Sequence, residues 1–287
     1  MINIIIGKRS DLSLSLKKKI NNSKIYTVNE LKEKKINAKF NLIINSFYSS
    51  LKLSEINNYE NFYKKSIYDL SILLDILPYN RINKIIYTSS SSVYNSIDDR
   101  QLVDHRNRKI YSSTKLAAEN LIKNFCSKYR INFSIVRLFN LFGGNDKFSI
   151  ISKIINSYKK KNNFLNLINK GEAVRDFIHI DDVTYIYSLI LKLKKSGIVD
   201  VGRGYGIKIS NILETLKYKN FNIKKHKGNE AQFSVANNID FNLNEKNSLE
   251  NYFKKKLKLK NKIILNKIFY NNSNLIYKSV KGSIIYG

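Results

Sequence analysis

The sequence predicts an α/β fold with a doubly wound parallel sheet, and three observations lead to it. Short apolar runs alternate with stretches of helical periodicity over the first half of the chain. A glycine, Gly7, directly follows the first of these runs. The 287 residues, 43% of them hydrophobic, suffice for one large α/β domain or two modest ones. Strands that alternate with helices indicate a parallel sheet with right-handed crossovers.

The first part of the chain supplies the elements of this sheet. The run INIII at 2–6 is β-branched and suits a buried strand, and four later runs have the same character. The segment 29–36 is a very short crossover between the second and third strands. The predicted strands are 2–6, 24–28, 40–45, 82–90 and 132–138, and the predicted helices are 10–20, 56–77 and 111–129.

The alternation weakens after about residue 145. Four helical patterns surround one further apolar run, and the rest of the chain is irregular. We assign no role to the tail at 262–287, in which Lys and Asn alternate with apolar residues. The predicted helices are 149–161, 181–195, 208–216 and 247–256, and the predicted strand is 198–202.

Composition limits the classes of function. The net charge of +29 would suit a nucleic-acid binder, but the lysines spread along the whole chain without an arginine-rich stripe. They indicate solvated surface charges that favour anionic small molecules. No run of 18 uncharged apolar residues predicts a membrane span, and the first ten residues lack the pattern of a signal peptide. A single cysteine, Cys126, fits a reducing compartment, and the three histidines show no metal-ligand spacing.

Gly7 stands where a strand meets a helix, which is a phosphate-binding arrangement. Backbone N–H groups at the start of the following helix point at an anion, and the helix dipole adds to them. The usual pattern has glycines three and six residues further on, and here those positions hold Ser10 and Ser13. An ordinary strand–helix turn is therefore the alternative.

The charges around this turn bear on the choice of cofactor. The second strand of such a unit normally ends in an acidic residue that binds the adenosine ribose, and here Asn29 stands at that end. Lys8 and Arg9 add positive charge in the glycine turn. A missing carboxylate beside two cations favours the 2′-phosphate of NADP over NAD, and solvated surface charges are the alternative.

A tyrosine and a lysine four residues apart, Tyr111 and Lys115, predict a proton-transfer site. On a helix their Cβ atoms lie about 5–6 Å apart. An ammonium ~4 Å from the phenol contributes about 4 kcal/mol at an effective dielectric of ~20, which would lower the phenol's pKa by roughly three from its usual ~10. Spacing alone is weak evidence, because chance predicts about three such matches and Tyr252 and Lys256 share the spacing.

The neighbours single out the first pair. The hydroxyl-rich stretch at 85–95 follows a buried strand, so its side chains emerge at the carboxyl end of that strand. Open α/β sheets bind their ligands at this edge. Tyr252 follows no such stretch. A polar loop is the alternative reading of the serines.

Four segments together resemble the extended short-chain dehydrogenase/reductase family, the NAD(P)-dependent sugar-nucleotide epimerases and dehydratases. They stand in the family's order, and the resemblance runs from Met1 to about Leu257. It implies a Rossmann-type sheet, NAD or NADP as cofactor with NADP slightly favoured, and a nucleoside-diphosphate sugar as substrate. The segments are YTSSSSVYN (87–95), YSSTKLAAE (111–119), RLFNLFGG (137–144) and RDFIHIDDV (175–183).

The resemblance also implies roles for individual residues. Ser90 matches the hydroxyl that binds the reacting sugar oxygen, and Tyr111 matches the acid/base. Lys115 matches the residue that lowers the phenol's pKa and holds the nicotinamide ribose. The implied cofactor site consists of Gly7, Lys8, Arg9, Ser10, Asp11, Leu12, Asn29, Tyr111 and Lys115.

The later segments imply the substrate residues. Asn140 and Arg175 match residues that contact the substrate diphosphate, and the arginine fork suits two phosphate oxygens. His226 stands where the family has a second diphosphate-binding arginine. Lys225 or Lys227 would substitute for it, and we take Lys227 as the candidate.

One difference from the family narrows the reaction. Members that remove water from the sugar carry Asp-Glu directly after the catalytic hydroxyl, and here Ser91 and Ser92 hold those positions. Dehydration is therefore not expected. Epimerisation and simple ketone reduction remain, because both can proceed with Ser90, Tyr111 and Lys115 alone.

The sequence thus predicts a cytoplasmic sugar-nucleotide epimerase, with a 4-epimerase as first choice, that serves cell-surface polysaccharide biosynthesis. The alternatives are an NADPH-dependent reductase of a 4-keto nucleotide sugar and a non-catalytic cofactor-binding scaffold. The resemblance implies a homodimer, and no nucleic-acid or membrane partner is expected. The domains would be a Rossmann domain at 1–145, to which 173–202 returns, and a substrate-binding region at 146–172 and 203–287.

Overall fold

The structure is a computed structural model in which the chain forms two compact units. The first comprises Met1–Leu138 with Val183–Val199, and the second comprises Phe139–Asp182 with the residues from Asp200 onward. The described residues are 1–45, 59–94, 106–160, 164–194, 196–216, 222–226, 233–237 and 241–269.

The secondary structure alternates between strands and helices in the first unit and is more irregular in the second. The strands are β1 (Ile2–Ile6), β2 (Ser23–Tyr26), β3 (Phe40–Ile44), β4 (Ile82–Ser90), β5 (Asn132–Leu138), β6 (Asn140–Phe142), β7 (Phe164–Ile168), β8 (Val174–Arg175), β9 (Phe177–His179), β10 (Gly197–Val201), β11 (Tyr205–Lys208), β12 (Asn222–His226), β13 (Phe233–Ser234) and β14 (Ile268–Phe269). The helices are α1 (Asp11–Lys19), α2 (Val28–Lys32), α3 (Tyr59–Tyr63), α4 (Asp69–Ile76), α5 (Arg106–Tyr129), α6 (Ile150–Lys159), α7 (Ile180–Ile190), α8 (Ile209–Thr215) and α9 (Leu249–Leu257).

A six-stranded sheet in the order β2-β1-β3-β4-β5-β10 organises the first unit. The pairs β1–β2, β1–β3, β3–β4 and β4–β5 are all parallel. Because β1 lies between β2 and β3, the direction of winding reverses there, and open α/β sheets bind ligands in the crevice at such a point. The predicted doubly wound parallel sheet is confirmed.

Helix α5 packs against the sheet because apolar residues recur along one side of it. Ala118, Ile122 and Cys126 are spaced by four residues and all are buried. They join Ile85 of β4 and Ile135 of β5 in one hydrophobic cluster. All five residues of β3 are buried, which is typical of a parallel strand covered on both faces.

A chain of buried polar side chains also crosses the first unit. Asn45, which follows β3, donates to Ser13 Oγ at 2.7 Å and accepts from Thr88 Oγ1 at 2.7 Å. The Thr88 hydroxyl lies 2.7 Å from Tyr187 Oη. Each of these buried polar groups has a hydrogen-bond partner. The residues therefore link α1, β3, β4 and α7 without leaving these polar groups unpaired in the core.

The second unit contains shorter strands around its own core. β6 pairs with β9, β7 pairs with β12, and β8, β11, β13 and β14 form a four-stranded sheet. The hydrophobic cluster collects residues from α6, α8 and α9, including the fully buried Ile151, Ile154, Ile212 and Phe253. Ile151 and Ile154 stand three residues apart and therefore lie on one side of α6.

Several elements differ from the predicted ones. The short crossover is the helix α2, which begins with a capping box between Thr27 and Glu30. Helix α5 begins at Arg106, before the predicted start at residue 111. The stretch predicted to be irregular contains strands of two to five residues, which are too short to carry a clear periodicity. None of the described helices is long and apolar enough to cross a membrane.

The chain also divides at other residues than predicted. The first unit ends at Leu138 and resumes at Val183, whereas we expected boundaries near residues 145 and 173. The physical reason is the parallel pairing of β6 with β9. Because β6 and β9 pair with each other, residues 139–145 and 173–182 both belong to the second unit.

Candidate active site

Three strand ends bring candidate residues of the first unit to one edge of the sheet. β1, β3 and β4 are parallel, so their carboxyl ends share that edge. Gly7 follows β1, Asn45 follows β3, and Ser90 is the last residue of β4. The winding reverses between β1 and β3, and the edge therefore has the position expected of a ligand crevice.

The turn after β1 has the backbone and the donors that a phosphate needs. Gly7 has a φ of +125°, which a side chain would disfavour. The Ser10 side chain makes no capping hydrogen bond, so it does not occupy the first-turn N–H groups of α1, which starts at Asp11. Leu12 is buried and anchors the start of the helix. These features fit the pyrophosphate of a dinucleotide.

A carboxylate stands beside this turn, contrary to the sequence-based expectation. Glu30, one residue beyond Asn29, forms an ion pair with Lys8. This bond is the main reason that the pKa of Glu30 is lowered to about 2. The prediction of two uncompensated cations without a carboxylate is wrong, because the capped turn into α2 brings Glu30 next to Lys8. Arg9 and Asn29 are both exposed.

Ser90 and Tyr111 are in contact, although they are 21 positions apart in the sequence. The Tyr111 phenol is hydrogen-bonded to the Ser90 side chain. Ser90 Oγ also accepts from the backbone N–H of Ser92 at 3.2 Å and from its hydroxyl at 3.0 Å. Since these two donors occupy the lone pairs of Ser90 Oγ, its own proton is directed at an acceptor such as the phenol or a substrate oxygen.

Lys115 holds α5 against β4 beside the phenol. Its Nζ donates to the carbonyl of Thr88 at 2.9 Å. The same nitrogen lies 5.9 Å from the ring centroid of Tyr111 and 5.0 Å from that of Tyr87. Lys115 is only 8% exposed. The ammonium is thus fixed by the backbone of the strand whose last residue is Ser90.

The pKa values of this pair differ from the sequence-based expectation. Burial raises the pKa of Tyr111 to about 12, and the hydrogen bond with Ser90 offsets only part of the rise. Burial lowers the pKa of Lys115 to about 8, although the charge of Glu119 acts in the opposite direction. The predicted lowering of the phenol's pKa by Lys115 is wrong for the protein's own groups. Lys115 is buried and Tyr111 is half-buried, and the loss of contact with water disfavours the charged form of each.

The candidate diphosphate-binding residues Asn140 and Arg175 lie in the second unit. Asn140 donates to the carbonyl of Asp176 through Nδ2 at 3.0 Å and through its backbone N–H at 3.1 Å. Arg175 is half-buried and donates through Nη1 to the carbonyl of Val174 at 3.0 Å. Lys227 lies outside the described residues.

Asp176 organises the segment that carries these two residues. It is fully buried, and its carboxylate accepts from the backbone N–H groups of Arg203, Gly204 and Ala236 at 2.7, 2.9 and 3.2 Å. Burial nevertheless raises the pKa of Asp176 to about 6. The three bonds fix the short connection between β8 and β9.

Sequence reasoning missed a buried ion pair beside the Tyr111 site. Arg137 donates to Glu119 twice, from Nε to Oε1 at 3.0 Å and from Nη2 to Oε2 at 2.8 Å. Glu119 is fully buried and also accepts from Ser89 Oγ at 2.6 Å. A signal existed in the sequence, because Glu119 follows Lys115 by four residues and so lies on the same side of the predicted helix.

Known proteins resemble this chain in sequence over part of its length. The profile of the NAD dependent epimerase/dehydratase family matches residues 11–202. The dTDP-D-glucose 4,6-dehydratase of Dictyostelium discoideum is 26% identical over 205 residues, which are 65% of this chain and 44% of that protein. The UDP-glucuronate 4-epimerase of Thermodesulfobacterium geofontis (strain OPF15) is 30% identical over 156 residues, which are 50% of this chain and 46% of that protein. The chain spans about half the length of the curated relatives it matches.

A solved structure shares the fold. The UDP-glucuronic acid 4-epimerase from Bacillus cereus, in complex with UDP-glucuronic acid and NAD, superposes with a TM-score of 0.64 at 17% sequence identity. The superposition covers 83% of this chain and 90% of that one. Because the family profile matches about two thirds of its residues, this chain belongs to the NAD dependent epimerase/dehydratase family.

Proposed function

We propose that the chain is an NAD-dependent epimerase of a nucleoside-diphosphate sugar and that it inverts C4 through a transient keto sugar. The observation that carries the proposal is the contact of the Tyr111 phenol with Ser90, beside the buried Lys115. These groups lie on the unit whose glycine turn fits a dinucleotide. A relative and a structural neighbour named as 4-epimerases of UDP-glucuronic acid support the choice of reaction.

The chain's own residues move the proton in this reaction. With a pKa of about 12, Tyr111 is a neutral phenol near pH 7, so it must first release its proton to solvent. The phenolate then accepts the proton of the sugar hydroxyl as C4 is oxidised and returns it to that oxygen when the keto sugar is reduced. Ser90 binds the same oxygen. Lys115 is largely protonated at neutral pH, since its pKa is about 8, and its charge favours the phenolate once the proton leaves. When bound, the oxidised nicotinamide supplies the hydride acceptor and a second positive charge near the phenol.

The two serines after Ser90 weigh against dehydration. Ser91 and Ser92 belong to the short 3-10 turn Ser91–Val93, and the Ser92 hydroxyl donates to Ser90. A serine hydroxyl cannot act as a carboxylic acid or carboxylate does near neutral pH. The proposal therefore follows the epimerases among the relatives rather than the dehydratases.

A reductase of a 4-keto nucleotide sugar that consumes NADPH is the second candidate. It rests on the positive charge of the glycine turn. Lys8 and Arg9 are both exposed, but the Lys8 ammonium is already paired with Glu30, so Arg9 is the stronger candidate of the two for a 2′-phosphate. The support for NADP is correspondingly smaller, and titration of the purified protein with NAD and with NADP measures the preference directly.

A substrate screen tests the proposed function. The protein is incubated with NAD and with UDP-, GDP-, CDP- and dTDP-hexoses, and the sugars are identified by NMR while absorbance at 340 nm is recorded. An epimerase converts the sugar with no lasting change at 340 nm, whereas a reductase consumes NADPH with each turnover. Binding of NAD without conversion of any sugar would leave a non-catalytic scaffold and overturn the proposal. We also propose the homodimer that the resemblance to the family implies, and light scattering of the same sample tests it.

A further inference from the structure

Three residues on one side of α5 contact three successive residues at the end of β4. Tyr111, Lys115 and Glu119 recur every four residues, so they form a line along the helix. Each bonds to a different residue of the strand end that carries the candidate catalytic hydroxyl. The contacts are Tyr111 with the Ser90 side chain, Lys115 Nζ with Thr88 O at 2.9 Å, and Glu119 Oε1 with Ser89 Oγ at 2.6 Å.

The contact between Glu119 and Ser89 is held in place by a residue of the neighbouring strand. Arg137, on β5, holds both oxygens of Glu119, and both side chains are almost completely excluded from solvent. The Arg137 guanidinium lies 4.6 Å from the ring centroid of Tyr94, just beyond the serine turn. Two buried charges are expensive to desolvate, and a hydrophobic pair of similar volume is often as stable. Stability alone therefore gives no reason for an ion pair at this place.

We propose that Glu119, held by Arg137, is a positioning residue for the reaction. Through Ser89 it fixes the strand end that presents Ser90, and from one helical turn beyond Lys115 it supplies the negative charge that keeps that ammonium in place. This inference rests on the proposed function for its kinetic consequence. The geometry of the helix–strand contact does not depend on which sugar is the substrate.

The ionisable groups around Lys115 determine how the pKa of its ammonium responds to the loss of Glu119. Tyr111 and Glu119 face the ammonium from its own helix, Tyr87 faces it from β4, and Arg137 reaches Glu119 from β5. Glu119 is the one carboxylate among these four groups. Without its charge the ammonium loses its proton at a lower pH.

Two variants separate positioning from folding. Glu119→Leu/Arg137→Met removes the ion pair but keeps the volume, so it is expected to fold. If the pair positions the site, this variant is folded by circular dichroism and its kcat is about 10- to 100-fold below wild type, with KM changed less. Glu119→Gln keeps the shape and removes the charge, and it moves the alkaline limb of the pH–rate profile to lower pH. Wild-type kcat and an unmoved profile in these variants would overturn the inference.

A second buried ion pair provides the matched control. Asp182 and Arg203 are joined at 2.6 Å and each side chain is 3% exposed, but they lie in the second unit. Asp182→Leu/Arg203→Met makes the same chemical change at a pair whose further partners, Asn244, Glu245 and Asn247, belong to the second unit. We expect its kcat to stay within about threefold of wild type, because neither member of the pair contacts Ser89, Ser90 or Lys115 through a bond of the kind that Glu119 makes. An equal loss of kcat in both double variants would show that removal of any buried ion pair lowers activity, and it would contradict the positioning role of Glu119.

An unfolding cycle tests the inference without enzymatic turnover. The urea midpoint is measured for wild type, Glu119→Gln, Lys115→Met and the double variant. If Glu119 holds the ammonium, Glu119→Gln lowers the midpoint more in the wild-type background than in the Lys115→Met background. Equal shifts in the two backgrounds would refute the coupling between the two charges. Failure to turn over any nucleotide sugar would reject the proposed function while this cycle still decides the inference.

Discussion

Two tyrosine–lysine pairs of the same spacing stand on described helices but lie in different surroundings. Tyr111 and Lys115 stand on α5, and Tyr252 and Lys256 stand on α9. The lysine Nζ lies 5.9 Å from the ring centroid in the first pair and 5.5 Å in the second, so the local geometry is nearly the same. Lys115 is buried against a strand end, whereas Lys256 is exposed.

The partners of the two phenols explain the difference. Tyr111 meets the hydroxyl of Ser90, whereas Tyr252 packs its ring against Phe142 and His179, with centroids 5.1 and 5.4 Å away. The helix sets the distance between tyrosine and lysine in both pairs. Only the sheet edge adds a second hydroxyl and a buried ammonium, and the chemistry depends on these additions.

Removal of each phenol oxygen gives the largest expected contrast. Tyr111→Phe loses the proposed proton carrier, and we expect kcat to fall by roughly 10²- to 10⁴-fold. Tyr252→Phe keeps the ring that packs in the second unit, so its kcat should stay within about twofold and its stability within about 0.5 kcal/mol. Turnover of the nucleotide sugar found in the screen measures both. A Tyr111→Phe protein as fast as wild type would end the mechanistic proposal.

Replacement of Lys115 is expected to change the stability of the protein much more than replacement of Lys256. Burial lowers the Lys115 pKa from 10.5 to about 8, which corresponds to a folding penalty of about 3 kcal/mol below pH 8. Lys115→Met relieves it and loses a hydrogen bond worth about 1 kcal/mol, so the free energy of unfolding at pH 7 should rise by about 2 kcal/mol. Lys256→Met, at an exposed position, should change it by less than about 0.5 kcal/mol.

The pH dependence of this effect has a definite sign. Between pH 8 and 10.5 the unfolded chain holds a proton on Lys115 that the folded protein has released. Wild-type stability therefore rises with pH in this range relative to Lys115→Met, and the advantage of the variant disappears near pH 10.5. Urea unfolding from pH 7 to 10.5 measures it. A variant that is less stable than wild type at pH 7 would contradict the buried ammonium.

The smallest expected contrast comes from the strand-end hydroxyls. The hydrogen bond with Ser90 lowers the pKa of Tyr111, so Ser90→Ala raises that pKa further and moves the acidic limb of the pH–rate profile to higher pH. We expect kcat at neutral pH to fall about tenfold, the value of one hydrogen bond to a reacting group. Ser91→Ala is the matched change one residue away and should leave the profile in place. Identical profiles for both variants would remove Ser90 from the site.

The sequence predicted the parts of the fold that depend on local patterns. The β-branched runs marked β1, β3, β4 and β5, because a strand buried on both faces reads as a continuous apolar run. The glycine after β1 marked the turn with a φ of +125°. The short strands of the second unit were missed, since each of them depends on a partner that is remote in sequence.

The side chains also divide into those that local sequence features identified and those that only the tertiary structure could place. Local properties of the sequence indicated Tyr111 and Lys115 through helical spacing and the serine run through its place at the end of a strand, and the resemblance to the family selected Ser90 within that run. Only the tertiary structure placed Glu30 beside Lys8 and buried the ammonium of Lys84 against the end of α7, where it donates to two backbone carbonyls.

Tertiary structure alone also decided the protonation of the site. Spacing predicted that Lys115 lowers the pKa of Tyr111, but burial raises it, and Glu119 and Arg137 complete the charge balance. The sequence determines which ionisable groups are neighbours along a helix. Whether water or protein surrounds them depends on how distant strands pack, and that surrounding sets the energy of every charge.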